Sequence, residues 1–447
     1  MTDWASRVTS YAYDAAGNVT RTNRPDGSVL TETYDAANRV TGMTDKTAAG
    51  AIINQYAYAY DADGNILTET SSDGSTTATM TYDANGRLTG RQVKDSAGTV
   101  TTNDTYALDA AGNITSASGT GMVYDKNDRL TSYNGTAVTY DADGNMTGGP
   151  LGAFSYDSQN RLTAAGSITY TYDAENNRVA QATGGSTTKY VYDTTASLSR
   201  MLVSTDASGN KTYYVYGNGL LGAQDTSGNY SVYHYDYRGS TTAITNSSGS
   251  VTDRYIYGTY GDLTGHTGSS SAIFLFNGRD GVQTDSNGLY YMRARYYSAT
   301  LNRFVNADVR KGNIQSSESL NRYAYANGNP VNLIDPFGTS SEPGNNNSSQ
   351  FVLGLSSALD KDMYFGAAQA ITNSNPVEDT TSSEQGRILG DIISASAGAG
   401  TIIGGAGGEV SAWHLMPLAW GTGRCSNQHS QCRGYCVWRN IHKCCRW

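Results

Sequence analysis

The sequence predicts an all-β protein of short antiparallel hairpins joined edge to edge into a spiralling ribbon. Composition is the first observation: 51 of the 447 residues are Gly and only 7 are Pro, and helix interiors penalise Gly by about 1 kcal/mol relative to Ala. The second is that Tyr supplies 34 aromatics against 5 Trp and 7 Phe, in a Thr-rich background suited to pleated strands. The third is a Tyr-Asp pair that returns about every 16 to 26 residues, the mark of a repeat architecture.

In chain order the pairs are Tyr13-Asp14, Tyr34-Asp35, Tyr60-Asp61, Tyr82-Asp83, Tyr124-Asp125, Tyr140-Asp141, Tyr156-Asp157, Tyr172-Asp173 and Tyr192-Asp193, with Leu108-Asp109 as a degenerate copy. Two kinds of turn alternate after them. Gly17-Asn18, Gly64-Asn65, Gly112-Asn113 and Gly144-Asn145 take turns with Asn38-Arg39, Gly86-Arg87, Asp128-Arg129 and Asn160-Arg161. In Ile168-Thr169-Tyr170-Thr171-Tyr172 the Ile and both Tyr share one face and the Thr the other, the period of a strand. Asp173 then ends the strand, its carboxylate accepting turn N–H groups while the Gly or Asn of the turn takes φ > 0. Asp61-Ala62-Asp63-Gly64 lacks the later ligands of a calcium loop and reads as a turn. A hairpin of this size cannot bury an apolar face alone, so successive hairpins pair into a ribbon. Its polar faces predict a wide, hollow shell around water or a guest.

From Tyr233 the pattern changes to Tyr233-His234-Tyr235-Asp236-Tyr237-Arg238-Gly239-Ser240-Thr241, then Gly288-Leu289-Tyr290-Tyr291-Met292-Arg293-Ala294-Arg295-Tyr296-Tyr297 and Asn302-Arg303-Phe304. Asn321-Arg322-Tyr323-Ala324-Tyr325-Ala326-Asn327-Gly328-Asn329-Pro330 leads to Asp335-Pro336-Phe337-Gly338. With the Tyr-Asp units, these segments resemble the Rhs family of YD-repeat proteins, which includes the C components of insecticidal toxin complexes and, more distantly, the teneurins. The resemblance covers about residues 10 to 338.

It implies YD repeats over 1–232, a repeat-associated core over 233–338, a linker and pre-toxin segment over 339–384 and a variable region over 385–447. It also implies a cocoon-like shell of bacterial origin, plugged by the core, that holds its own C-terminal segment as cargo and cuts itself after the boundary motif Asp335, Pro336, Gly338. The cleavage site is Gly338, Thr339, Ser340. Asp285 and Asp308 stand at the family's two catalytic aspartates, with Arg279 as the orienting cation and Arg293 and Arg295 as rivals. Two carboxyls held about 3 Å apart cannot both ionise, so one stays protonated while the other deprotonates water. Two positions depart from the family: Val309 replaces the Pro after Asp308, and Thr339 replaces a Leu. Losing a buried isobutyl group costs about 1.5–3 kcal/mol, which slows a cut that depends on it.

After Gly338 comes a Ser, Asn and Gly linker, then helix-like apolar spacing at Val352, Leu355, Leu359 and Met363. Gly400, Gly404 and Gly408 come next at the spacing of close helix contacts, but the Gly content argues against membrane insertion. The end is basic and holds all 5 Cys (Cys425, Cys432, Cys436, Cys444 and Cys445) without a C-x-x-C pair, so no metal or cofactor is assigned. It reads as a truncated or frameshifted effector; a zinc or disulfide mini-domain and a basic membrane-active peptide are the alternatives.

A formal charge of −9 argues against nucleic acid as a partner. Met1 to Thr20 lacks a basic segment followed by an apolar run, so a secreted or surface location requires a signal-independent route or a longer chain. The expected partners are the chain's own cargo and a secretion-system or shell-completing polypeptide. The competing readings are a non-enzymatic surface module whose Tyr rings bind carbohydrate and an inactive fragment.

Overall fold

A computed structural model describes residues 1–344 apart from 72–74, 197 and 313–316. The expectations for the later linker, the helical spacing and the Cys-rich tail lie outside the described residues. Strands succeed one another in sequence order and pair antiparallel with their neighbours throughout. One sheet of 13 strands runs from Ser10–Tyr13 to Thr136–Ala137, and another of 12 runs from Phe154–Tyr156 to Leu263–Thr267. A two-stranded sheet, Thr139–Tyr140 with Met146–Gly148, lies between them in sequence. A four-stranded sheet comes after them, in which Leu289–Met292 pairs with Arg295–Ser298.

Each repeat is closed by its Asp. Asp14 Oδ1 accepts the N–H groups of Ala16 at 2.9 Å and Asn18 at 2.8 Å, while Gly17 takes φ 87°. In the alternate repeat Asn38 takes φ 60° and Arg39 Nε returns to Asp35 Oδ2 at 2.7 Å. In several repeats the Tyr before the Asp then ties one hairpin to the previous one. Its hydroxyl donates to a backbone carbonyl there: Tyr34 to Val19, Tyr60 to Val40, Tyr82 to Ile66, Tyr124 to Ile114 and Tyr172 to Leu162, at 2.6–2.8 Å.

The side chains of those same acceptor residues are buried, with Val40, Ile66 and Leu162 at most 2% exposed. The faces are therefore unequal, unlike the doubly polar ribbon expected. One apolar residue per strand suffices to make a continuous inner stripe, too dilute to register in composition. Against this stripe packs an aromatic cluster from the later chain, in which Tyr297 and Tyr325 have ring centroids 4.2 Å apart and Phe276 and Tyr290 5.2 Å. The Asn-rich segment after Asn321 reaches back to the repeats: Asn321 donates to Asn113 Oδ1 at 2.7 Å and Asn329 to Asn65 Oδ1 at 3.0 Å.

The two large sheets meet at a buried polar seam. Arg24 Nη1 binds both oxygens of Asp45 at 2.9 and 3.0 Å, and His234 Nδ1 lies 2.8 Å from Asp45 Oδ2. Thr245 links His234 Nε2 (2.9 Å) to Asp26 Oδ2 (2.5 Å). Asn54 donates to Thr242 at 2.7 Å and Arg254 to the Ile53 carbonyl at 2.8 Å. Burial opposes the Asp45 charge, but Arg24 and His234 outweigh it and hold the carboxyl at about 2. This lies below the usual unfolded value of about 3.9, so its stabilisation is complete above about pH 4 and is lost as pH falls toward about 2. Asp45→Asn leaves Arg24 buried with a weakened partner, and a loss of about 3–5 kcal/mol is expected. Urea unfolding at pH 7 measures it; an unchanged midpoint would show that the seam does not hold the sheets together.

Candidate functional site

The boundary motif forms a tight turn. The Gly338 N–H donates to the Asp335 carbonyl at 3.2 Å, and Gly338 takes φ 70° with its Cα facing the Met292 carbonyl oxygen, which any Cβ would strike. Only Gly meets both conditions. The neighbouring hairpin turn grips this segment by its backbone. Ala294 N–H donates to the Phe337 carbonyl at 3.2 Å and Arg293 Nη1 to the Pro336 carbonyl at 2.6 Å.

Arg295 is the hub. Its Nε donates to the Gly338 carbonyl, and its Nη2 lies 2.9 Å from Asp308 Oδ2 and 3.1 Å from Asp335 Oδ2. Asp335 Oδ1 accepts the amide N–H groups of Thr339 and Ser340, both at 3.0 Å. Beyond them Glu342–Pro343 pairs antiparallel with Leu333–Ile334. Gly344 N–H donates to the Asn332 carbonyl at 2.8 Å, and the Gly344 carbonyl accepts from Arg279 Nη2 at 2.8 Å.

Two buried carboxyls thus share one guanidinium, with Glu342 buried beside Asp335. Burial pushes Asp335 up to about 6 against the pull of Arg295, and burial with the Asp335 charge pushes Glu342 up to about 7. Asp308 is also raised by burial, opposed mainly by Arg295.

Asp285 sits in a different network. Arg178 Nη1 lies 2.8 Å from both of its oxygens, Tyr170 donates to Oδ2 at 2.8 Å, and both ion-pair side chains are 1% exposed. Burial raises this carboxyl and Arg178 opposes the shift. Among the hydrogen bonds of the described residues, Asp285 and Asp308 share no partner. Arg279 pairs with Asp280 at 3.0 Å rather than with either. The arrangement joins Asp308, Asp335 and Arg295 at the boundary.

Sequence reasoning passes over Arg178, although a signal is present. Arg178 comes directly after Asn177 where corresponding repeats carry Val19, Ile66, Ile114 and Met146, and a charge in an apolar stripe needs a buried partner. In the sequence Asp335 reads as part of a motif and not as an ionisable group, and nothing there singles out Glu342.

Replacing Asp285 by Asn leaves Arg178 buried beside a neutral amide. A loss of about 3–5 kcal/mol in unfolding free energy is expected. Thermal melting measures it; a stability equal to the parent's would free Asp285 from a structural role.

The sequence profile described as Teneurin YD-shell matches residues 67–331, more than half of the chain, and the RHS repeat profile matches 1–29 and 13–52. The tRNA3(Ser)-specific nuclease WapA of Bacillus spizizenii is 35% identical over 165 residues, 36% of this chain and 7% of that protein. The tRNA nuclease WapA of Bacillus subtilis strain 168 is 34% identical over the same shares. The chain therefore spans a small fraction of the curated relatives it matches. Among solved structures, the TcdB2-TccC3-Cdc42 complex matches with a TM-score of 0.40 and 16% identity, over 74% of this chain and 22% of that one.

Proposed function

The chain belongs to the YD-shell family of RHS-repeat proteins, and from that premise we propose that it is the shell-closing part of a bacterial toxin-delivery protein that cuts itself once, between Thr339 and Ser340. The supporting observation is that Arg295 gathers the Gly338 carbonyl, Asp308 and Asp335 at the boundary, with the Ser340 nitrogen on Asp335. The cargo is the chain's own C-terminal segment, and the destination is outside the cell.

In this reading Asp308 takes a proton from water, whose oxygen attacks the Thr339 carbonyl carbon. As the attack turns the Ser340 nitrogen pyramidal and frees its N–H from Asp335, Asp335 in its protonated form delivers a proton to that nitrogen and the C–N bond breaks. Arg295 holds the Gly338 carbonyl and keeps both carboxyls in place. The water supplies OH to Thr339 and a proton to Asp308 while Asp335 gives its proton to Ser340, so the pair still holds one proton, now on Asp308. The new Thr339 carboxyl ionises as the Ser340 amine is protonated, and the tethered substrate limits the reaction to one turnover. The pair implied by the resemblance, Asp285 with Asp308, is the rival assignment.

Purified protein is expected to run as two bands under denaturing conditions, residues 1–339 and 340–447; one intact band after days would overturn the proposal. Asp308→Asn and Asp335→Asn are each expected to slow the cut at least 100-fold with β-sheet circular dichroism retained, whereas Asp280→Asn cuts normally. In folded Asp285→Asn protein, normal cutting supports Asp308 with Asp335, and loss of cutting supports the rival pair. Because Asp335 sits at about 6, the rate should fall as pH rises above about 6 and its acid form is lost. It should fall again in stronger acid, where Asp308 is protonated too. A rate that climbs steadily to pH 9 would exclude Asp335 as the acid.

A further inference from the structure

Hydrolysis of the Thr339–Ser340 bond turns the Ser340 nitrogen from an amide into a primary amine, protonated at neutral pH because α-amino groups titrate near 7.7–8.0. The nitrogen is already 3.0 Å from Asp335 Oδ1. Asp335 is buried and shares the Arg295 guanidinium with Asp308, and Glu342 is buried within reach of the Asp335 charge. Arg310 and Arg322 also act on Asp308, so its charge is met from that side. Hydrolysis releases a carboxylate at Thr339 and an ammonium at Ser340 together, and the ammonium forms at the atom already bound to Asp335.

The next residues are held as well, and through backbone groups. Glu342–Pro343 is added as a strand to Leu333–Ile334, Gly344 N–H reaches the Asn332 carbonyl at 2.8 Å, and Arg279 holds the Gly344 carbonyl at 2.8 Å. Amine capture at one end and strand addition behind it are two established ways of binding a peptide. Both are assembled here on one five-residue stretch.

We propose that Asp335, with the Leu333–Ile334 strand and Arg279, is a receptor for a peptide amino terminus, and that it retains the cut C-terminal segment through the ammonium of Ser340. This rests on the cut proposed above. The receptor exists before its ligand does. Hydrolysis replaces the neutral amide donor on Asp335 with an ammonium, an ion pair in place of a bond to a neutral N–H, so the cut strengthens the grip at the junction it severs.

The test uses the full chain after self-cutting. A brief pulse of amine acetylation at pH 7.5 is followed by mass spectrometry of the peptide that begins at Ser340, with urea-unfolded protein as the reference. The Ser340 amine is expected to react at least tenfold more slowly in the native protein. Gly344→Pro removes the N–H that reaches Asn332 and presses its ring on Tyr237, 2.9 Å from where a Cβ would stand, at a position outside the boundary turn; it should cut normally and raise native labelling several-fold. If the native Ser340 amine labels as fast as in urea, or if Gly344→Pro cuts normally and leaves labelling unchanged, the receptor is overturned while the cut stands. A single uncut band on a denaturing gel overturns the cut itself and the receptor with it.

Discussion

The repeating constraint beneath this structure is the tyrosine hydroxyl bound to a carbonyl of the preceding hairpin. A polar ribbon has little apolar area with which to fix the angle between successive hairpins. The Tyr bond fixes it from inside, because the acceptor carbonyl belongs to the residue whose side chain enters the core, as at Val40 and Ile66. One residue therefore serves both packing and register. The Asp turn completes the unit by satisfying its own backbone N–H groups, leaving the strand ends free of unmet donors.

Because each hairpin is defined by its own turn and its predecessor, the ribbon can lengthen without a global core. It acquires one only where the later chain returns. The aromatic cluster around Phe276, Tyr297 and Tyr325 covers the apolar stripe from Ile114 onward, Val331 and Tyr237 pack on its earlier part with Val40 and Ile66, and the amides of Asn321 and Asn329 meet turn residues of early repeats. The Asn-rich motif is thus a set of long-range tethers rather than a loop. The same convergence brings Arg295, Asp308 and Asp335 together, although they are widely spaced in sequence.

Much of this was legible in the sequence, and the limits have physical causes. The Asp turns and alternating hairpins came from local rules, since the residues involved lie within five positions of one another. The boundary Gly was legible because its motif is contiguous. The pairing of the carboxyls was not, because burial and a shared guanidinium decide it and neither is a local property. Arg178 shows the difference: its place in an apolar stripe marked it as unusual, but only the fold shows that Asp285 is the group that answers it. Arg279, expected to orient one of the two carboxyls, faces Asp280 and the Gly344 carbonyl instead.

The contacts at Gly344, the last described residue, are made to its backbone N–H and C=O. A Cβ at this position would stand 2.9 Å from the Tyr237 ring, so the clamp holds backbone and leaves room there for Gly alone. In engineering terms the junction is a backbone socket whose last described position is gauged by an aromatic ring, so its tolerance of substitution is set by that ring and not by the hydrogen bonds.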